Sequence, residues 1–186
     1  MTWRQPFKAL SRRLDLSANG PWLGAYLLIC LIAGTVAGAI WYGLVDLPAY
    51  ELGADLYARL SERGRAQVFA ADVWLAGLGL VAGPLLGWLA WRWFGRLGWL
   101  SAVIAALAGL IAAAVTSAVG HVLGPGDFAT RLSNAQPGDQ VVIEFASHTP
   151  VYLAVWVALA TLPVLLGSFW ASDASRGRWI QQDSTI

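Results

Sequence analysis

Four long stretches of the chain carry no charge. No Asp, Glu, Lys or Arg occurs between Asp15 and Asp46, between Asp72 and Arg92, between Arg96 and Asp127, or between Glu144 and Asp173. A helix needs about 20 predominantly apolar residues to cross the hydrocarbon core of a bilayer, and each stretch supplies them. The pattern predicts an all-α membrane protein, a bundle of four transmembrane helices over about 22–45, 73–91, 97–123 and 150–170. The transmembrane domain is expected over 22–171, between tails at 1–21 and 172–186. Arg4, Lys8, Arg12 and Arg13 precede the first stretch, as in a signal peptide. That stretch is longer than the roughly 7–15 residues of a cleavable apolar region, and no small-x-small site closes it, so it reads as a retained span.

Two segments join the spans on one side of the membrane. The first, 46–72, has Leu52, Leu56 and Leu60 at four-residue spacing, with Tyr57, Val68 and Phe69 nearby. That spacing predicts a short amphipathic helix on the membrane surface, interrupted at Gly64. The second, 124–149, has turn signals at Gly124-Pro-Gly-Asp127 and Gln136-Pro-Gly-Asp139. Between them and the last span, Gln140 to Phe145 alternates partly and is rich in β-branched residues, which predicts a short strand or hairpin. Both segments are too short for a domain of their own. They are expected to form a small cap over the bundle.

Composition narrows the class. The chain is 58% hydrophobic and 12% charged, against about 25% charged in soluble domains. A net charge of +1 gives no electrostatic case for binding nucleic acid. The one cysteine, Cys30, has no internal disulfide partner. Arginine outnumbers lysine eleven to one, a bias seen in GC-rich bacterial genomes.

The charges also orient the chain. Eight basic residues fall on one side: Arg4, Lys8, Arg12, Arg13, Arg92, Arg96, Arg176 and Arg178. The other side has four, Arg59, Arg63, Arg65 and Arg131, and most of the acids. Basic residues concentrate on the cytoplasmic side, so both termini are expected in the cytoplasm of a bacterial plasma-membrane protein. Trp22, Trp41, Trp74, Trp91, Trp93, Trp99 and Trp170 fall near the expected span ends, where amphipathic rings favour the headgroup region.

Lipid tails are as apolar as leucine, so spans associate through small residues that let backbones approach. Gly79, Gly83 and Gly87 form a tandem G-x-x-x-G. Gly34 and Gly38 form a second pair, and Ser101, Ala105, Gly109, Ala113 and Ser117 repeat the spacing in the third span. Such grooves serve packing within one bundle, a homodimer, or a membrane partner. Pro84 and Pro163 are expected to kink their spans or free a carbonyl.

Chemistry is sparse. No acid or base sits mid-span, where proton-coupled transporters place one. Cys-x-x-Cys, His-Glu-x-x-His, Gly-x-Ser-x-Gly and a phosphate-cradling glycine loop are all missing. One constellation stands out: Asp72, His121, Glu144 and His148 all fall near the outer ends of spans. Two His and two carboxylates are a donor set for a divalent metal, and two His are a donor set for haem. The commoner role for such residues is solvated or Arg-paired polar groups at span ends, so no metal and no cofactor are expected.

Several stretches together resemble an actinobacterial family of small four-span membrane proteins of unknown function. They are Trp41 with Asp46-Leu-Pro-Ala-Tyr50, Glu62-Arg-Gly64 with Asp72-Val-Trp74, Leu85-Leu-Gly-Trp-Leu-Ala-Trp-Arg-Trp-Phe94 with Arg96-Leu-Gly-Trp99, Leu123-Gly-Pro-Gly126, and Pro137-Gly-Asp139. The resemblance covers roughly 22–170 and implies four spans, a plasma-membrane location and no assigned activity. With it, the sequence favours a non-catalytic accessory or scaffold subunit of a cell-envelope complex. A small-molecule or lipid transporter component and an outer-face metal protein or enzyme are the alternatives.

The orientation is testable by labelling. On a Cys30→Ala background, a membrane-impermeant maleimide should modify Ser133→Cys in intact cells. It should modify Ser184→Cys only after permeabilisation, and the reverse pattern inverts the topology.

Overall fold

The computed structural model describes residues 16–52, 58–59, 62–145 and 149–183, with side-chain environments for 20–52, 62–145 and 149–170. The elements run α1 (Leu16–Leu44), β1 (Ala49–Leu52), β2 (Ala58–Arg59), α2 (Glu62–Phe94), a 3₁₀ turn (Gly95–Leu97), α3 (Trp99–Leu123), α4 (Phe128–Ser133), β3 (Gln140–Val142) and α5 (Val151–Asp183). Four helices, α1, α2, α3 and α5, are long and apolar enough to cross a membrane. The protein is an all-α four-helix membrane bundle.

Two helices outrun the bilayer. At about 1.5 Å per residue, the 33 residues of α2 extend roughly 50 Å, against about 30 Å of hydrocarbon. The helix begins at Glu62, eleven residues before the expected start of its span. Glu62 in the first turn and Arg92 in the last suit the helix dipole, and Glu62 also pairs with exposed Arg65 at 3.5 Å. Helix α5 likewise continues from Val151 to Asp183, past the expected end of its span.

The expected amphipathic surface helix is replaced by other structure. Leu52 lies in β1, Ala58–Arg59 form β2, and Gly64, Val68 and Phe69 belong to α2. Leu56, Tyr57 and Leu60 lie outside the described residues. The strand wins because β1 finds a partner in the distant loop. β1 pairs antiparallel with β3 in the register Ala49↔Val142, Tyr50↔Val141 and Glu51↔Gln140. It pairs with β2 through Glu51↔Arg59 and Leu52↔Ala58. The sheet order β2-β1-β3 stitches both outer segments into one cap.

Within the membrane, α1 packs chiefly on α3 and α2 chiefly on α5, while α2 and α3 each touch the other three spans. Both principal pairs run in the same direction. A Cβ at Gly34 would lie 2.7 Å from the Ala112 carbonyl oxygen, and one at Gly38 2.8 Å from that of Thr116. On the other side, Gly79 faces the Trp156 indole, Gly83 faces Leu159, and a Cβ at Gly87 would fall onto the Ala160 carbonyl oxygen. Gly109 of α3 meets α5 at the Trp156 carbonyl oxygen, 2.8 Å from where a Cβ would stand. Ala105 and Ala113 are fully buried beside it. The eight glycine and alanine positions of the three grooves therefore lie on faces occupied within the chain. Pro84 and Pro163 lie inside continuous helices.

Polar bonds tie the spans where packing alone does not. The Tyr26 hydroxyl donates to the Leu86 carbonyl at 2.9 Å, and the Trp156 indole N–H to that of Leu75 at 2.9 Å. Fully buried Thr116 places its hydroxyl 2.8 Å from the Ala112 carbonyl and 3.1 Å from the Gly34 carbonyl of α1. At the turn between α2 and α3, Gly98 adopts a φ of 66°. Its carbonyl accepts from the Ser101 hydroxyl at 2.6 Å.

Gly87→Ala should force α2 and α5 apart and cost about 1–3 kcal/mol, the usual range for overpacking. Gly77→Ala, whose Cβ meets open space, should be neutral or slightly stabilising. Reversible unfolding in mixed micelles distinguishes the two.

Candidate functional site: the cap

The cap is built around one inserted ring. Phe145, three residues beyond β3, is 1% exposed and lies between the C-terminal ends of α1 and α3. Its ring meets Trp41 edge-on at 4.2 Å and Tyr42 at 5.8 Å. Gly120 and Gly124 of the α3 terminus lie against it, and a Cβ at either would collide with the ring or its stem. Leu75, Val45, Leu47, Leu78 and Tyr152 complete the pocket.

Trp41 corrects a sequence expectation. It is 1% exposed and so is no lipid-facing anchor. Its indole N–H donates to the Ala71 carbonyl of α2 at 2.9 Å. An indole buried in the spans has few acceptors to choose from, and the helix carbonyl supplies one. Trp22, Trp74, Trp99 and Trp170 are exposed, as headgroup anchors are.

The polar rim follows from the plug. His121 Nδ1 lies 3.3 Å from the Phe145 carbonyl oxygen and 3.5 Å from Glu144 Oε1. Donation to that carbonyl requires the tautomer with its proton on Nδ1. Both side chains are about half exposed, 54% and 48%. Asp72 lies elsewhere on the rim, where Oδ2 accepts from the Thr149 hydroxyl at 2.9 Å and ties the start of α5 to α2. Among the described members, His121 lies beside Glu144, and Asp72 accepts from Thr149. His148 lies outside the described residues. Among the described residues, no three His, Cys, Asp or Glu side chains converge to hold a metal ion. The physical reason is the Phe145 insertion, which brings Glu144 to the α1–α3 side, whereas Thr149 and Asp72 meet where α5 enters beside α2.

Arginine 131, which the sequence marked only as a charge, is a second organiser. Its Nε donates to the Gly126 carbonyl at 2.7 Å and Nη1 to the Val142 carbonyl at 2.9 Å. The fork clamps the loop to β3. Asp127 caps α4, accepting from the Thr130 hydroxyl at 2.6 Å and from the amides of Ala129 and Thr130. The Thr130 hydroxyl, seconded by its amide, holds the Asp127 carboxyl below the usual carboxylate range. Gly138 N–H donates to the Leu52 carbonyl and Ile143 N–H to that of Pro48, at 2.8 and 3.0 Å, extending the β1–β3 seam.

The arrangement is a closure with a polar rim. Among the described residues, the buried polar side chains are Ser101 and Thr116, and both are bonded to backbone carbonyls. The residues that matter most here, Phe145 and Trp41, carried no chemical signature in the sequence. The available signal was the Gly120/Gly124 spacing at the end of α3, which leaves room for a large ring.

Phe145→Ala should destabilise the protein by about 3 kcal/mol, as for other buried aromatics, and open the 124–149 segment to limited proteolysis. Trp41→Phe keeps the ring contact and loses the bond to Ala71, so it should cost only about 0.5–1.5 kcal/mol and leave the segment protected.

Comparison of the chain with protein-family models, curated proteins and solved structures finds no match.

Proposed function

We propose that the protein is a non-catalytic accessory or scaffold subunit of a cell-envelope complex, seated in a bacterial plasma membrane with both ends cytoplasmic and docking through its outer cap. The observation that supports this reading is the combination of a closed outer end and a chemically silent interior. The spans hold no carboxylate, lysine or arginine, and their one histidine, His121, stands in the last turn of α3, whereas ion and proton pathways depend on ionisable groups at mid-span. The outer end is plugged by Phe145 and stitched by the three-stranded sheet. Structural investment of this kind, in a cap too small for an independent fold, suits a surface that must hold one shape for a partner. Its exposed rim offers Asn134, Gln136, Asp139 and Glu144 to the outside.

Affinity purification from native membranes in mild detergent tests the reading. One or more envelope proteins should be recovered in near-stoichiometric amount, and a bulky substitution on the rim, Gln136→Trp, should release them. Recovery of only the monomer or a homodimer would sink the idea.

A further inference from the structure

The end of the bundle opposite the cap is built differently. Here α2 passes through Trp91-Arg92-Trp93-Phe94 into the 3₁₀ turn, and the start of α1 lies alongside. Between them is an open concavity of about 940 Å³ bordered by Trp22, Trp88, Trp91, Arg92, Trp93 and Arg96. Its aromatic wall is fixed in place. Trp22 and Trp93 meet edge-on at 5.3 Å, Tyr26 touches Trp93 and Phe94 at 6.2 and 5.6 Å, and the Tyr26 hydroxyl is anchored on α2. The Trp91 ring lies against Gly167 of α5, where no side chain larger than hydrogen fits.

Charge at this end is unbalanced. Arg92 and Arg96 are exposed, and neither makes an ion pair among the described residues. No described side chain at this end is a carboxylate. Trp88, Arg92 and Arg96 recur at four-residue spacing along α2 and the turn that continues it. Each helical step of four carries the stripe about 6 Å further along the axis, from an apolar ring towards a charged rim. Trp88 is 56% exposed. That order mirrors a phospholipid: acyl chains beside Trp88, glycerol at the indoles, phosphate at the guanidiniums. Tryptophan favours the headgroup level, and arginine's planar fork matches phosphate oxygens.

We propose that this concavity is a binding site for an anionic phospholipid, with Arg92 and Arg96 on the headgroup phosphate and Trp22, Trp88 and Trp93 along its glycerol and upper acyl region. The occupant is a lipid rather than a soluble anion because half of the site is apolar aromatic surface at membrane depth. The proposal stands independently of the scaffold reading, since it concerns the other end of the bundle and needs only membrane residence.

The test is native mass spectrometry of the intact protein in mild detergent with phosphatidylglycerol or phosphatidylcholine of identical chains. The wild type should retain phosphatidylglycerol about tenfold or more over phosphatidylcholine, as expected for two basic residues near a headgroup. Arg92→Gln/Arg96→Gln should erase that preference, while Arg63→Gln/Arg65→Gln, which removes two charges at the opposite end, should keep it. Trp88→Ala should lower retention of both lipids, and circular dichroism should show each variant folded. Thermal shift with inorganic phosphate in lipid-depleted protein separates the sources, and no stabilisation is expected. Equal loss in both arginine pairs, no loss in the inner pair, stabilisation by phosphate alone, or an acidic protein displacing the lipid would each overturn the proposal.

Discussion

Close backbone approach between helices that run in the same direction is the constraint on which the rest of the fold depends. In a bilayer, apolar side chains gain little by leaving lipid for a neighbouring helix. What remains is dispersion at short range, and it falls steeply with separation. Gly34 and Gly38 let α1 sit directly on the carbonyls of Ala112 and Thr116, and Gly79, Gly83 and Gly87 let α2 sit on α5 from Trp156 to Ala160. Neither pair is adjacent in the chain. The connecting segments must therefore cross from one pair to the other, and the hairpin between α2 and α3, turned at Gly98, joins the two seams.

The α1–α3 seam does not stop at the membrane. The same groove, continued through Gly120 and Gly124, receives Phe145, so the plug of the outer cap is an extension of transmembrane packing. Trp41 and Trp156 then bond sideways to α2 carbonyls at Ala71 and Leu75, four residues apart on one face. Those carbonyls keep their helical bonds through one lone pair and accept the indole through the other. Helix α2 is thereby held by α1 and α5 at one level, just below the cap, which gives the sheet a rigid base.

The two ends of the bundle have opposite characters. The cap end is closed, hydrogen-bonded and rimmed with small polar groups. The opposite end is open, aromatic and cationic, with its arginines unpaired among the described residues. The two proposals rest on this contrast, the scaffold reading on the shaped cap and the lipid site on the aromatic cradle with its two guanidiniums.

Much of this was legible in advance. Four spans followed from charge-free intervals because leaving a charge in hydrocarbon costs several kcal/mol, and no tertiary contact was needed to see it. The groove residues were visible because Gly and Ala at four-residue spacing stay on one helical face. Which groove faced which was not, since parallel pairs one span apart are indistinguishable by spacing from hairpin neighbours. The Leu52, Leu56 and Leu60 period suggested a helix, yet Leu52 joined a strand because β1 finds a partner strand at 140–142, far along the chain. Trp41 looked like a headgroup anchor until a ring from a distant loop covered it. Sequence alone thus determined membrane residence, span number and the small-residue faces, all set by local composition against the bilayer. Only tertiary structure decided the pairing of spans, the plugged cap and the separation of Asp72 from His121, because those depend on contacts between residues far apart in the chain.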